Sequence, residues 1–280
     1  TVAIFGADSR NGNIGKGTSA DTQMLLTLNR ANGEIRLVSV YRDTLLMSNV
    51  KEGKCRKISS SYSEGGPEQA VTALNENLDL KIGDYVSFSW KAAADAVNVL
   101  GGIDMDITKA EYAYINAFIT ETVDCTGIPS VHLTGPGPAH LDGVQAVAYS
   151  RLRLMDTDMN RTERQRKVIE AVLEKLKQAD LPTINRLLET VLPQVATSID
   201  AGDFLELGKN AGNYHIVKTE GFPTVYKAAT LGKLGSCLIP NTLESNVTAL
   251  HEFLYEDQDY QNSDRVKEIG GEIIKQALGE

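Results

Sequence analysis

Cysteine and histidine are scarce in this chain. The three cysteines (Cys55, Cys125, Cys237) show no CxxC spacing, and the four histidines (His132, His140, His215, His251) fall in no metal-ligating or catalytic pattern. Zinc chemistry is therefore not expected. The odd cysteine count leaves two readings open: one disulfide plus a free thiol, or three unpaired thiols. There is no Gly-x-Ser-x-Gly elbow, no His-Glu-x-x-His and no cysteine in a nucleophilic signature. A basic excess is missing too. The net charge is −9, whereas a surface built for nucleic acid needs clustered positive charge, so no nucleic-acid partner is expected. An anionic ligand would need a local basic site.

Long apolar runs are absent as well. None approaches the roughly 18 consecutive residues of a membrane helix, and no signal-peptide pattern opens the chain. Thr1 is not an initiator residue, and the chain starts directly in an apolar strand, Val2 to Phe5. An upstream segment carrying a membrane anchor is the expectation. What remains, 280 residues with 42% hydrophobic and 23% charged side chains, suits a globular protein able to bury a full core as one large domain or two small ones.

Residues 1 to 5 alternate as a strand ending at Gly6. Asp21 to Leu28 and Ile35 to Val40 flank Asn32-Gly33, a strong hairpin signal. Pro67 followed by Ala70, Val71, Leu74 and Leu78 gives a helical stripe, repeated at Ala93, Ala96, Val97 and Leu100 before Gly101-Gly102. Strands are expected at Tyr85 to Ser89 and Ile103 to Ile107, and interleaved strands and helices imply a layered α/β fold. Residues 120 to 141, rich in Thr, Gly, Pro and Ser, read as a loop. Helices resume near Asp142. Three apolar stripes follow, built on Val168 to Leu176, Ile184 to Leu192 and Phe204 to Leu207, and two more on Val247 to Leu254 and Val266 to Ile274.

Several patterns carry chemistry. Asp8 lies where the first strand ends and Asp21 where the next begins; two carboxylates at neighbouring strand ends can share a hard cation such as Mg2+, although taken alone the pair reads better as turn caps. The stretch Gly12 to Thr18 lacks the P-loop order, since Gly17 separates Lys16 from Thr18, and reads as a loop. Arg42 emerges where Ser39-Val40-Tyr41 ends a strand, with a guanidinium suited to forking onto phosphate oxygens or to pairing with Asp43 or Asp21.

The strongest signal is Tyr149 to Arg166, where five arginines fall within sixteen residues. In an extended segment Arg151 and Arg153 point to one side, and Arg161 and Gln165 share a helix face. That helix is expected to begin near Asn160 or Thr162, with Thr162 and Gln165 spaced as a capping box and its positive end toward an anion. Arg164, Arg166 and Lys167 read as a solvated face. Arg151, Arg153 and Arg161 held close together without an anion would repel one another, which favours a functional role.

The order GADSR, SADT, SVYRDT, KISSSYSEGGPE, VLGGIDMDI, HLDGVQAVAYSRLR and DTDMNRTERQ resembles the LytR-CpsA-Psr family over roughly residues 1 to 175. The resemblance implies an α/β fold of the α+β type, with a central mixed, mostly antiparallel sheet flanked by helices and an apolar tunnel for a lipid tail. One domain over 1–280 is expected: residues 176–280 carry few of the family's landmarks and read as helical completion of the same domain plus a late strand end at Leu238-Ile239-Pro240. The resemblance also implies an extracytoplasmic, membrane-anchored phosphotransferase that moves a glycopolymer from undecaprenyl pyrophosphate to peptidoglycan. Carried over by motif, Mg2+ would bind Asp8 and Asp21. The pyrophosphate would bind Arg42, Arg151, Arg153, Arg161 and Gln165, with Arg10 beside them, and Asp43 would act as general base or orient Arg42. The chain departs from the family pattern at Tyr41, where proline is usual, at Ser19, where arginine often stands, and at Ser59 to Ser61, where Asn and Ala are common. Simple hydrolysis of a polyprenyl pyrophosphate, and a lipid-pyrophosphate-binding scaffold without turnover, are the rival readings.

Overall fold

The computed structural model describes residues 1–9, 14–153 and 157–278. The chain opens with strands β1 (Val2–Ala7), β2 (Ala20–Leu28) and β3 (Glu34–Val40), then β4 (Leu45–Asn49) and β5 (Lys54–Lys57). Helix α1 (Ser59–Leu78), strand β6 (Asp84–Phe88), helix α2 (Trp90–Val99), strand β7 (Ile103–Ile107) and helix α3 (Lys109–Thr126) follow. Strand β8 (Gly137–Leu141) leads into helices α4 (Gly143–Arg151), α5 (Asp158–Lys177) and α6 (Leu181–Val191). The remainder is β9 (Val195–Thr197), α7 (Ala201–Lys209), β10 (His215–Phe222), β11 (Tyr226–Thr230), β12 (Ser236–Pro240), α8 (Leu243–Tyr255) and α9 (Asp264–Leu278).

Six strands form the central sheet in the order β10-β3-β2-β1-β6-β9. The pairings β1 with β2, β2 with β3 and β6 with β9 are antiparallel, while β1 with β6 and β10 with β3 are parallel. A mixed, mostly antiparallel sheet flanked by helices is thus the architecture, as the sequence implied. The β2–β3 hairpin turns where Asn32-Gly33 predicts it. Gly33 has φ 78°, and a Cβ there would stand 2.1 Å from the Asn213 carbonyl oxygen, so glycine is required twice over.

Period-two alternation gives the sheet two different faces. Ala3, Phe5 and Ala7 of β1, with Leu25, Val38 and Val40, pack into a core with α1, α8 and α9. On the other side a second core is built by α2, α3 and α4 around Ile115, Val144, Tyr149 and Leu152. The space between the second core and the sheet is where the candidate site lies.

Local sequence explains where expectation and structure part. Helix α1 starts at Ser59, eight residues before Pro67, and is broken at Gly66 (φ 74°); proline disfavours helical geometry in its predecessor, and glycine absorbs the break. The expected loop over 120–141 is mostly regular. Helix α3 runs on to Thr126, burying Ile115, Phe118 and Ile119 and ending at Gly127 (φ 69°), while the Thr120, Thr122 and Thr126 hydroxyls are satisfied by carbonyls four residues back, at 3.1, 2.7 and 2.7 Å. Residues 137–141 then form β8, paired with β7.

Residues 176–280 are not helical completion with one strand end. They supply four strands, of which β9 and β10 are the two edges of the central sheet, and β11 pairs with β12 in a separate hairpin. All three cysteines are free thiols, with Cys55 and Cys237 buried.

Candidate anion-binding site

Sequence-distant segments converge at one end of the central strands. The cavity there is lined by Gly6, Asp8, Asp21 and Thr22 from β1, β2 and the turn between them, by Phe88, Trp90 and Phe118, and by Arg151, Arg153, Arg161 and Gln165. Its volume is about 70 Å³. The β1–β2 register slips at Gly6 and Ala7, and a Cβ on Gly6 would approach the Thr22 Cβ to 2.9 Å. Glycine therefore lets the two strands close tightly beneath the cavity floor.

Six of the residues singled out in sequence share this lining: Asp8, Asp21, Arg151, Arg153, Arg161 and Gln165. Arg42 joins from behind through an ion pair with Asp21. Asp43 is one step further back, 3.9 Å from Arg42 Nε and 2.9 Å from Lys57 Nζ. Arg10 lies outside the described residues.

The arginines are held by different means. Arg151 is not in an extended segment: it is the last residue of α4, and Arg153 follows just beyond the helix end at Leu152. Its Nη1 donates to Thr122 Oγ1 at 2.8 Å, its Nη2 lies 3.0 Å from Glu121, and its guanidinium carbon sits 3.4 Å from the centroid of the Trp90 ring. Burial pulls the Arg151 pKa below its usual value, with Glu121 opposing. Gly143, at the far end of α4, permits this placement, because a Cβ there would stand 1.9 Å from the Ala94 carbonyl oxygen of α2.

Helix α5 begins one turn earlier than its sequence suggested. Thr157 is the N-cap, its side chain accepting from the Asn160 amide, and Thr162 donates to the Met159 carbonyl instead of capping. Arg161 therefore falls in the first turn, 2.6 Å from Asp158 and 3.5 Å from Asp21. Gln165 is buried, its Nε2 donating to the Ser150 carbonyl at 3.4 Å and its Oε1 lacking a hydrogen-bond partner.

Arg164 and Arg166 are not on a solvated face. Arg164 is buried, donates to the Leu152 carbonyl at 2.8 Å and lies 3.8 Å from Glu111. It so ties α5 to the segment just after Arg151. Arg166 donates to Ser39 Oγ at 2.8 Å and clips α5 to β3. Lys167 does sit on the exposed side, paired with Glu163.

Sequence reasoning missed Asp158, Trp90 and Lys57. The signal for Asp158 was its i,i+3 spacing to Arg161 in the same block. Burial pushes the Asp158 carboxyl above the usual carboxylate range, and Arg161 beside it pulls the other way. Trp90 and Lys57 carried no local signal, since each meets its partner only through tertiary packing.

Whether these residues suit a hard cation can be judged from Asp8 and Asp21. Among the described residues nothing donates a hydrogen bond to the buried Asp8 Oδ1, and Asp21 lines the same cavity. Among the described residues no group of three or more His, Cys, Asp or Glu converges. Mg2+ commonly takes one or two carboxylates plus phosphate oxygens and water, so the pair fits.

A mixed-sheet α/β domain that gathers arginines and aspartates at one end of its central strands is the class these observations define. The chain belongs to the LytR_cpsA_psr family, whose model matches residues 1–234. It is 29% identical over 213 residues to the polyisoprenyl-teichoic acid–peptidoglycan teichoic acid transferase TagU of Bacillus cereus (strain AH820), covering 75% of this chain and 64% of that protein. It is 28% identical over 196 residues to TagV of Bacillus subtilis (strain 168), a transferase of the same description, covering 69% and 48% respectively. The chain therefore spans less than two thirds of the length of these relatives. The fold is shared with B. subtilis TagV (TM-score 0.72, 23% identity, 93% of this chain and 97% of that one). It is also shared with TagT bound to LIIa-WTA (TM-score 0.71, 21% identity, 92% and 90%).

Proposed function

We propose that this protein transfers a glycopolymer from undecaprenyl pyrophosphate to a sugar hydroxyl of peptidoglycan, forming a phosphodiester outside the cytoplasmic membrane. One observation carries the reading: Asp8, Asp21, Arg151, Arg153, Arg161 and Gln165 line a single cavity, which is the donor set a diphosphate and its cation need. The names of TagU and TagV, both teichoic acid transferases acting on peptidoglycan, support the substrate class.

Arg151, Arg153 and Arg161 grip the non-bridging oxygens, and Arg42 reinforces them through Asp21. Asp8 and Asp21 would hold Mg2+, which when bound supplies further positive charge to the phosphoryl oxygens. An acceptor hydroxyl oxygen forms a bond to the glycan-side phosphorus while the bridging P–O bond breaks, and undecaprenyl phosphate leaves with the bonding electrons. The arginine side chains stabilise the charge that spreads over the phosphoryl oxygens. The loose transition state asks little of a base. Asp43, tied to Lys57 and absent from the cavity lining, orients Arg42, and the hydroxyl proton leaves to solvent.

The lipid tail has a candidate berth beside the cavity. Ile4 and Val86 on the sheet, Ile169 and Leu173 on α5 and Leu188 on α6 are only partly covered, although their stripes would normally be core. Helix α7 buries no residue at all. These half-covered faces support an apolar slot that a polyprenyl chain completes. Among the described residues no helix is long and apolar enough to cross a membrane.

The test is polymer attachment from a polyprenyl-pyrophosphate glycan onto isolated peptidoglycan by wild type, Arg151→Ala and Asp8→Ala. Loss in both variants is expected. Unchanged attachment in both overturns the site. Release of free glycan phosphate in place of attachment would favour hydrolysis.

A further inference from the structure

We infer that Trp90 is the positioning residue of Arg151: its indole face fixes the guanidinium plane and leaves the remaining N–H groups for a diphosphate oxygen. The inference rests on the diphosphate reading above. It concerns which contact keeps Arg151 in place once the ligand has arrived.

Trp90 is the first residue of α2, and its main chain is set by the Ser89 cap, whose hydroxyl accepts from the Ala92 amide at 3.2 Å. Its ring lies flush against Arg151, 3.4 Å from centroid to guanidinium carbon, and Phe118 stands 5.7 Å away on another side. An arginine has five in-plane N–H donors. The contacts to Thr122 and Glu121 use Nη1 and Nη2 once each, so a face-on aromatic support costs no donors. Burial has stripped water from this cation, the setting in which cation–π attraction is strongest.

Glu121 cannot do the same work. Its side chain is 40% exposed, and a solvent-exposed ion pair holds weakly. As an anion it also competes with phosphate for the same hydrogen atoms. A neutral ring does not compete, so Trp90 is the support that persists when oxygen ligands take over the guanidinium edge.

Trp90 is the only tryptophan in the chain, so binding is readable in its emission. Titration of wild type with farnesyl diphosphate, a short polyprenyl diphosphate, is expected to shift Trp90 fluorescence. Calorimetry then compares variants: Trp90→Leu is expected to bind about tenfold more weakly, and Trp90→Phe within about threefold of wild type. In an Arg151→Ala background, Trp90→Leu should cost nothing further. Wild-type affinity in Trp90→Leu, equal loss in the Phe variant, or a full additional loss in the double variant would each overturn the inference.

If wild type binds neither farnesyl diphosphate nor inorganic pyrophosphate, the diphosphate reading itself falls. The Arg151–Trp90 geometry is then decided without ligand by the Arg151 Nε–H proton resonance. Ring current should move it upfield in wild type and not in Trp90→Leu. An unshifted wild-type resonance ends the inference independently of function.

Discussion

Arg161 holds both the side chain and the main chain of Asp21: its guanidinium lies 3.5 Å from the Asp21 carboxylate and 3.5 Å from the Asp21 carbonyl oxygen, across 140 residues of sequence. One buried cation thereby fastens helix α5 to the start of β2. The same contact aims Asp21 at the cavity.

Arg161→Ala should therefore damage fold and binding together. It leaves the partly buried Asp158 without its cation and Asp21 with Arg42 alone, and breaking such a buried pair costs about 3 kcal/mol. A fall in Tm of about 5–10 °C by calorimetry is expected, along with loss of pyrophosphate binding. A variant that melts like wild type would show that Arg161 is not the fastener.

Asp8→Asn should separate the two effects. Among the described residues nothing donates a hydrogen bond to the buried Asp8 Oδ1, so stability should stay within about 0.5 kcal/mol of wild type. The enhancement of pyrophosphate binding by Mg2+ should disappear, as read by calorimetric titration with and without the metal. Retained enhancement would remove Asp8 from the cation site.

Gly143→Ala tests the scaffold behind Arg151. The new Cβ would meet the Ala94 carbonyl at 1.9 Å, forcing α4 away from α2 at a cost of about 3 kcal/mol. Because α4 ends at Arg151, the Arg151–Trp90 stack should loosen as well. Near-UV circular dichroism and Tm should change together.

A surface histidine sets a pH dependence far from the site. His140 directs Nδ1 at Asp104 (2.6 Å) and Nε2 at the Gly101 carbonyl (2.8 Å), two acceptors that only the doubly protonated ring satisfies. The Asp104 hydrogen bond first, then the Gly101 carbonyl, raise its pKa above the ordinary 6.5, while nearby Lys175 works against them. The stabilisation is complete below the unfolded value and is lost as pH rises through the higher folded one. The ring is exposed, so the effect is small, on the order of 1 °C in Tm. His140→Ala should flatten the Tm–pH curve above pH 6.5; an unchanged slope would exclude this pair as its source.

Periodic apolar patterns made β1, the β2–β3 hairpin and α2 readable, because burial of one face dictates spacing. The helical reach of α3 was not readable. Its threonines look like loop residues until their hydroxyls are seen bonding back along the helix. The edge strands β9 and β10 were hidden because a short or exposed edge has little apolar alternation. At the site, motif resemblance located Asp8, Asp21 and the arginines. Three crowded arginines do not by themselves require an anion, because Glu121, Asp158 and Asp21 already serve as counter-charges. Asp158 precedes Arg161 by three residues on the same helix, but Glu121 and Asp21 come from another helix and from a strand, so only the folded chain brings those two near.

The internal pairing of the arginines changes what binding must mean here. Arg42 meets Asp21, Arg161 meets Asp158 and Arg151 meets Glu121, so an incoming diphosphate trades places with carboxylates instead of neutralising bare cations. Salt screens these internal pairs as well as the attraction for the ligand, so affinity should decline with ionic strength less steeply than the number of arginines suggests. Such a trade also disfavours small monoanions. A single charge repays one exchange, whereas two linked phosphoryl groups repay several at once.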